Sequence, residues 1–485
     1  MKNNTFYVTT TIPYVNDKPH IGFALEITQA DVLARFNELI GKEVFFNTGT
    51  DEHGQKIYQK ALESHRNPQD YVDEYAAKFN RLKEALNLSY NNFIRTTDPH
   101  HIEAAKEFWT RCQASGDIYK DKQRIKYCVG CELEKTESEL DQNGNCPIHP
   151  NLKIEVLEEE NYFFRFSKYQ KPLLNFYRTH PNFVFPQYRY TEIKKFVEAG
   201  LKDFSISRLK EKMPWGIEVP GDEKHVMYVW FDALINYISA LGWPKDQEKF
   251  SSFWGSPEQL KAIQVAGKDN LRQQTAIWQA MLMSAGLPNS KQILIHGFIT
   301  ANGQKISKSL GNVIDPFAVV KKYGTDPTRY YLLKEIHPFK DGDFSYQRFE
   351  EIYNADLANG LGNLVQRAAK LCESKGYSQK HSPSKQIAFL IKQGGFTTHI
   401  ECFEFNLALE EIWRTVKQTD ILINQSEPWR LTESAAAAVL DKVVENILDI
   451  AYALKPFLPE TSQKIETIFT ADKIQAPKEP LFPRL

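Results

Sequence analysis

Residues 6–54 read FYVTTTIPYVNDKPHIGFALEITQADVLARFNELIGKEVFFNTGTDEHG. Residues 6–12 are mostly β-branched and aromatic and predict a strand. A polar loop, PYVNDKP, follows. Ile21, Leu25, Thr28, Val32, Phe36 and Leu39 then return every three or four residues, which predicts a helix from about residue 20 to residue 40. Pro19 suits the first turn of that helix. EVFFNTGT at 43–50 reads as a buried strand of a covered parallel sheet, and it runs into Asp51-Glu52-His53-Gly54 ahead of another helix. Strand, helix, strand and helix in that order open a doubly wound, Rossmann-like α/β domain.

Working outward, residues 118–224 break the pattern with short mixed segments and a cysteine cluster, as an insertion would. The α/β pattern resumes at His225 with VMYVWFDALINYISAL, QLKAIQVAG, TAIWQAMLMSAG and QILIHGF. Beyond residue 350 three long amphipathic stretches predict an all-α domain: DLANGLGNLVQRAAKLC, FNLALEEIWRTVKQTDILI and AAAAVLDKVVENILDIAYAL. The expected organisation is a split catalytic domain at 1–117 and 225–292, the insertion at 118–224, a linking region at 293–349 and the helical domain at 350–485.

The 485 residues fit about three domains. Hydrophobic residues at 42% and charged residues at 25% exclude wholesale disorder. A mean hydropathy of −0.47 argues against a membrane span. The first residues lack a long apolar run, so a signal peptide is not expected and a cytoplasmic location is. Sixty basic and 61 acidic residues give a net charge of −1, which argues at first against a nucleic-acid partner.

Three of the six cysteines cluster as Cys128-x2-Cys131-x14-Cys146, and two residues separate the third from His149. Two knuckles offering three thiolates and an imidazole are the ligand set of a structural zinc ion, with no coordination position left for catalysis. Cys112, Cys372 and Cys402 are scattered and read as small apolar core residues.

Two segments could meet phosphate. His20-Ile21-Gly22 opens the first helix, where unsatisfied N–H groups and the positive dipole end attract anions. Taken alone it is more often a solvated helix cap. Lys305-Ile306-Ser307-Lys308-Ser309 places two lysines in a loop flanked by Gly303 and Gly311, able to neutralise charge developing on a leaving pyrophosphate. Taken alone it is more often a solvated charged loop.

Together the two segments resemble the paired signatures of class I aminoacyl-tRNA synthetases. PYVNDKPHIG, GTDEHG, YCVGCE, MYVWFDALINYISALG, AGKD and NADLANGLGNLVQR are similar to the methionyl-tRNA synthetase family, from the first strand to at least Trp429. The resemblance implies methionine, ATP with Mg2+, and the tRNA for methionine as substrates. Methionine would attack the α-phosphate of ATP, and the resulting adenylate would pass its aminoacyl group to the tRNA 3′ end. It implies His20, Lys305 and Lys308 as catalytic residues, and Tyr14, Asn16, Gly22, Gly267 and Asp269 as further ATP contacts. Asp51 would hold the methionine ammonium; Ile12, Tyr14, Trp230, Ala233, Tyr237, Gln274 and Trp278 would line the side-chain pocket. Asn363, Arg367 and Trp429 would read the anticodon; without the resemblance the first two are an ordinary exposed face and Trp429 a core residue.

The sequence departs from the family pattern at three places. Phe23 stands where most signatures have a second histidine, Gln274 where the family has a histidine near the methionine side chain, and Ile306 where the lysine loop has methionine. Gln273, Gln274 and Phe23 motivate a competing reading, a paralogue that adenylates another amino acid. A non-catalytic RNA binder is a second alternative, opposed by the retained His20 and both lysines. The chain ends soon after the helical domain, so a monomer is expected.

Overall fold

The computed structural model describes residues 4–130, 133–135, 139–306, 311–383 and 395–485. Cys131, Lys308 and the side chain of Lys305 lie outside the described residues. The chain divides into two compact units. One comprises Met1–Pro19, Val44–Arg81 and Tyr90–Ile295; the other comprises His20–Glu43, Leu82–Ser89 and His296–Leu485.

The first unit is built on strands β1 (Thr5–Thr10), β2 (Glu43–Thr50), β3 (Asn92–Arg95), β4 (Ile118–Cys128), β5 (Glu155–Phe164), β6 (Val184–Phe185), β7 (Ile263–Gly267) and β8 (Gln292–His296). Six of them form one sheet in the order β3-β2-β1-β7-β8-β6, with parallel registers between β2 and β3, β1 and β7, and β8 and β6. The chain moves outward from β1 to β3, then restarts on the other side at β7. That reversal between β1 and β7 is a topological switch point, where ligands bind beyond the carboxyl ends of the strands. Gly49 lets β2 and β3 approach, since a Cβ there would lie 1.9 Å from the Ile94 carbonyl oxygen. Helix α2 (Pro99–Ala114) contributes Phe108, whose ring stacks on Trp278 at 5.7 Å in a core that also buries Trp109, Trp243 and Trp254.

The insertion is an antiparallel ladder of β4 and β5, registered from Ile118↔Phe164 to Tyr127↔Glu155. Within the acidic run 155–160, Glu160 lies 3.8 Å from Lys120 Nζ on β4 and Glu159 pairs with Lys212. Val184–Phe185 falls inside the stretch read from sequence as insertion, yet it is the edge strand of the main sheet. A two-residue strand carries no periodicity to detect.

In the second unit the first helix, α1, spans Ile21–Leu39 with His20 as its N-cap. Pro19 thus precedes the cap rather than occupying the first turn. α1 is buried nearly all round, including Glu26, Thr28, Gln29 and Asp31, so it is more than the single stripe the sequence displays. Asp31 accepts from Arg35 Nε at 2.8 Å and pairs with Arg329 Nη2 at 2.7 Å, from helix α3 (Thr325–Lys334). Arg329 also donates to the carbonyls of Leu86, Pro456 and Phe457, which ties residues 82–89 and α1 to the C-terminal helices. Burial opposes ionisation of Asp31, but Arg329, Arg35 and the Ser89 N–H outweigh it and hold the carboxyl below its usual range. Helices α4 (Asn363–Ser374), α5 (Phe405–Ser426), α6 (Glu433–Leu454) and α7 (Pro459–Phe469) match the three amphipathic stretches and add a fourth helix.

Candidate active site

Strands β1, β2 and β7 end at Thr10, Thr50 and Gly267, and five of the expected site residues lie just beyond them: Ile12, Tyr14, Asp51, Gly267 at the strand end itself, and Asp269. The Asp51 N–H donates to the Pro13 carbonyl at 3.0 Å and its carbonyl accepts from Val15 N–H at 3.2 Å, so Tyr14 and Asp51 are bridged. Asp51 is 3% exposed. The Tyr14 ring meets Trp230 edge-on at 6.3 Å. The Asn16 carbonyl accepts from the Tyr71 hydroxyl at 3.4 Å.

A second group gathers Tyr237, Gln274 and Trp278, all buried. Gln274 Nε2 donates to the Tyr237 hydroxyl at 2.6 Å, and the Tyr237 and Trp278 rings lie 5.9 Å apart. After the turn Lys268–Asn270 the chain takes a π-helical turn at Gln273–Ile277, ahead of the α-helix Trp278–Ser284. Such a turn widens a helix locally and re-aims its side chains. Ala233 is buried at the end of the short helix Val229–Ala233 that carries Trp230.

Sequence reasoning missed the link between the Asp51 turn and that short helix. Asp232 Oδ2 lies 2.6 Å from His53 Nδ1, and Oδ1 lies 2.8 Å from His101 Nε2. His101 Nδ1 in turn meets Ser239 Oγ at 2.8 Å. Burial disfavours the Asp232 carboxylate, but both imidazoles outweigh it and hold the group below the usual range. The only signal was that GTDEHG and VWFDA each carry one member.

His20 Nδ1 accepts the Gly22 N–H at 3.1 Å, capping α1 with the imidazole. With Nδ1 accepting, the ring proton belongs on Nε2, which then serves as a donor from an exposed side chain. A Cβ at Gly22 would lie 2.9 Å from His20 Cε1, so glycine makes room for this cap. Phe23 is buried in the helix. Gly303, at φ +74°, leads into the backbone of Lys305, and its N–H donates to Asp343 Oδ1 at 2.7 Å.

Cys128 at the end of β4 comes together with Cys146 and His149; their ligand atoms lie within 4.8 Å of one another. Cys128 Sγ and His149 Nδ1 are 3.9 Å apart. A Cβ on Gly130 would lie 2.5 Å from His149 Cγ, so the first knuckle leaves space for the imidazole. Two buried thiols and an imidazole at this spacing suit a thiophilic ion such as zinc.

In the helical domain Asn363 is exposed at the start of α4, directly after a π-helical stretch, Tyr353–Gly362. One turn on, the Arg367 guanidinium sits 5.4 Å from the ring centre of Trp429 and pairs with Asp420 at 3.1 Å. Trp429 is 43% exposed. It is therefore no core residue; Glu427, at φ +42°, turns the chain outward ahead of it.

The family model described as tRNA synthetases class I (M) matches residues 6–155 and 135–369. The methionine–tRNA ligase of Thermosynechococcus vestitus is 44% identical over 95% of this chain and 89% of its own. That of Thermotoga maritima is 43% identical over 95% of this chain and 74% of its own. The solved Mycobacterium tuberculosis methionyl-tRNA synthetase in complex with methionyl-adenylate superposes with a TM-score of 0.90 at 35% identity, covering 99% of this chain and 100% of that one. The paralogue reading is not favoured by these matches. A sheet whose switch point carries Tyr14, Asp51 and Gly267, a relatedness spanning nearly the whole chain and a shared fold lead to one conclusion: this chain belongs to the class I aminoacyl-tRNA synthetases, as a methionine–tRNA ligase.

Proposed function

We propose that Asp51 binds the methionine ammonium, while Ile12, Tyr14, Trp230, Ala233, Tyr237, Gln274 and Trp278 hold the side chain. The observation that carries this is the burial of Asp51, whose main chain is bridged to that of Tyr14, while the Tyr14 ring packs edge-on against Trp230. A buried carboxylate favours a cationic ligand, and aromatic walls suit a polarizable thioether. The His20 Nε2–H, the helix N-terminus at Gly22, and Lys305 and Lys308 would neutralise the phosphates of ATP. Asn16 and the Gly267–Asp269 turn would position its nucleoside. Chemistry then needs no enzyme nucleophile: rate comes from alignment of the methionine carboxylate with the α-phosphate and from charge stabilisation of the transferring group. Mg2+ would arrive with the ATP phosphates. Zinc would be held by Cys128, Cys131, Cys146 and His149, and would only hold the knuckles together.

Asn363, Arg367 and Trp429 would recognise the anticodon of the tRNA, the amide and guanidinium by hydrogen bonding and the indole by stacking. The domain limits 1–117, 118–224, 225–292, 293–349 and 350–485 complete this reading, with Val184–Phe185 returning from within 118–224 to the main sheet. No helix among the described residues is long and apolar enough to cross a membrane. A cytoplasmic monomer completes the reading; a dimer mass at micromolar concentration would count against the monomer. The test of the amino-acid site is Asp51→Asn. It should raise the KM for methionine roughly a hundredfold with little change in the KM for ATP. An unchanged methionine KM would contradict the assignment.

A further inference from the structure

Gln274 is the last link of a buried relay that runs through three residues with no assigned role. Gln279 Oε1 accepts the Ser290 backbone N–H at 3.1 Å, and Gln279 Nε2 donates to the Gln274 carbonyl at 2.9 Å. Backbone groups cannot exchange donor for acceptor, so the orientation of the Gln279 amide is fixed. Its Nε2 therefore also donates to Ser290 Oγ, at 3.1 Å. Having accepted there, the Ser290 hydroxyl donates to Gln264 Oε1. Gln264 Nε2 must then donate to Gln274 Oε1, at 2.9 Å, and Gln274 Nε2 to the Tyr237 hydroxyl, at 2.6 Å. Reversal from the Tyr237 end would set two amide N–H groups against Ser290 Oγ and leave its hydrogen without an acceptor in the relay. All four relay members are at least 97% buried, where an unsatisfied polar group is costly.

We infer that Gln264, Ser290 and Gln279 are positioning residues for amino-acid selection: they fix the polarity of the Gln274 amide, so that Tyr237 accepts a hydrogen from it and turns its own toward the pocket. This rests on the methionine pocket proposed above. A hydrogen turned into the pocket favours a side chain that carries an acceptor, as a thioether does, over an isosteric methylene. The relay also holds no group that titrates between about pH 6 and pH 9, so the preference should not vary over that range.

The test compares methionine with norleucine, which replaces the sulfur by a methylene, in ATP–pyrophosphate exchange. Ser290→Ala removes the hydrogen that orients Gln264. Gln264→Met keeps the size but offers Gln274 Oε1 no donor, so the Gln274 amide should turn round and consume the Tyr237 hydrogen. Each variant should lower the methionine-to-norleucine ratio of kcat/KM by roughly three- to tenfold, through the KM for methionine. The KM for ATP should hold, and the wild-type ratio should stay flat from pH 6 to pH 9. An unchanged ratio in both variants would overturn the proposal, as would parallel losses of methionine kcat and ATP affinity with no change in ratio. A wild-type enzyme without methionine-dependent exchange would instead overturn the pocket itself.

Discussion

Trp429 shows how much a single residue can decide. A half-exposed indole beside the Arg367 guanidinium has the geometry of a stacking platform, whereas an apolar residue near the end of a long helix is ordinarily core. Stacking of a base on an aromatic ring contributes about 1–3 kcal/mol. Trp429→Ala should therefore lower kcat/KM for tRNA charging roughly tenfold or more and leave methionine-dependent pyrophosphate exchange unchanged. Equal losses in both assays would assign the residue to folding instead. Gly130 makes a second prediction. Any Cβ there meets the His149 ring, so Gly130→Ala should bind less than the one zinc ion per chain expected of the wild type, as measured by metal analysis. At this scale the sequence was informative where ligand chemistry has a fixed spacing, as in Cys128, Cys146 and His149. It was silent on Gln264 and Ser290, which meet Gln274 and each other only through the fold, at separations of 10 and 26 residues.

Among the elements, α1 carries the most consequence. Its cap presents His20, and its buried Asp31 binds Arg329 and Arg35. Arg329→Met would remove one partner of a fully buried ion pair and should cost about 3–5 kcal/mol of stability, read by denaturant unfolding. The pH dependence follows from the depressed pKa of Asp31. Its stabilising contribution is present above the ordinary value of 3.8 and is lost as the pH falls through the lower folded value. Asp31→Asn should therefore flatten the acid limb of the stability curve below pH 3.8 while lowering stability at neutral pH. The long elements were legible because burial imposes a period on them: α1 and α4 to α6 all follow their apolar residues. The edge strand Val184–Phe185 was not, being too short for any period. The π-helical turns at Gln273–Ile277 and Tyr353–Gly362 were not either, because they depend on packing around the helix rather than on its own residues.

For the whole molecule, the net charge of −1 stops being an argument against RNA. Part of the acidic content is cancelled within the insertion, where Glu160 and Glu159 pair with Lys120 and Lys212. Binding to tRNA depends on local positive surface and releases counterions, whereas activation of a small amino acid does not. Charging should thus fall steeply with added salt while exchange holds, and similar salt slopes for the two would contradict that division. The two compact units were not separable from sequence, since residues 20–43 and 82–89 join the C-terminal unit through Arg329, a contact formed across more than 240 positions. The central claim is that the Asp51 pocket activates methionine despite glutamine at 274. ATP–pyrophosphate exchange measured with each of the standard amino acids tests it most directly. The account predicts exchange driven by methionine; exchange driven by another amino acid and not by methionine would contradict it.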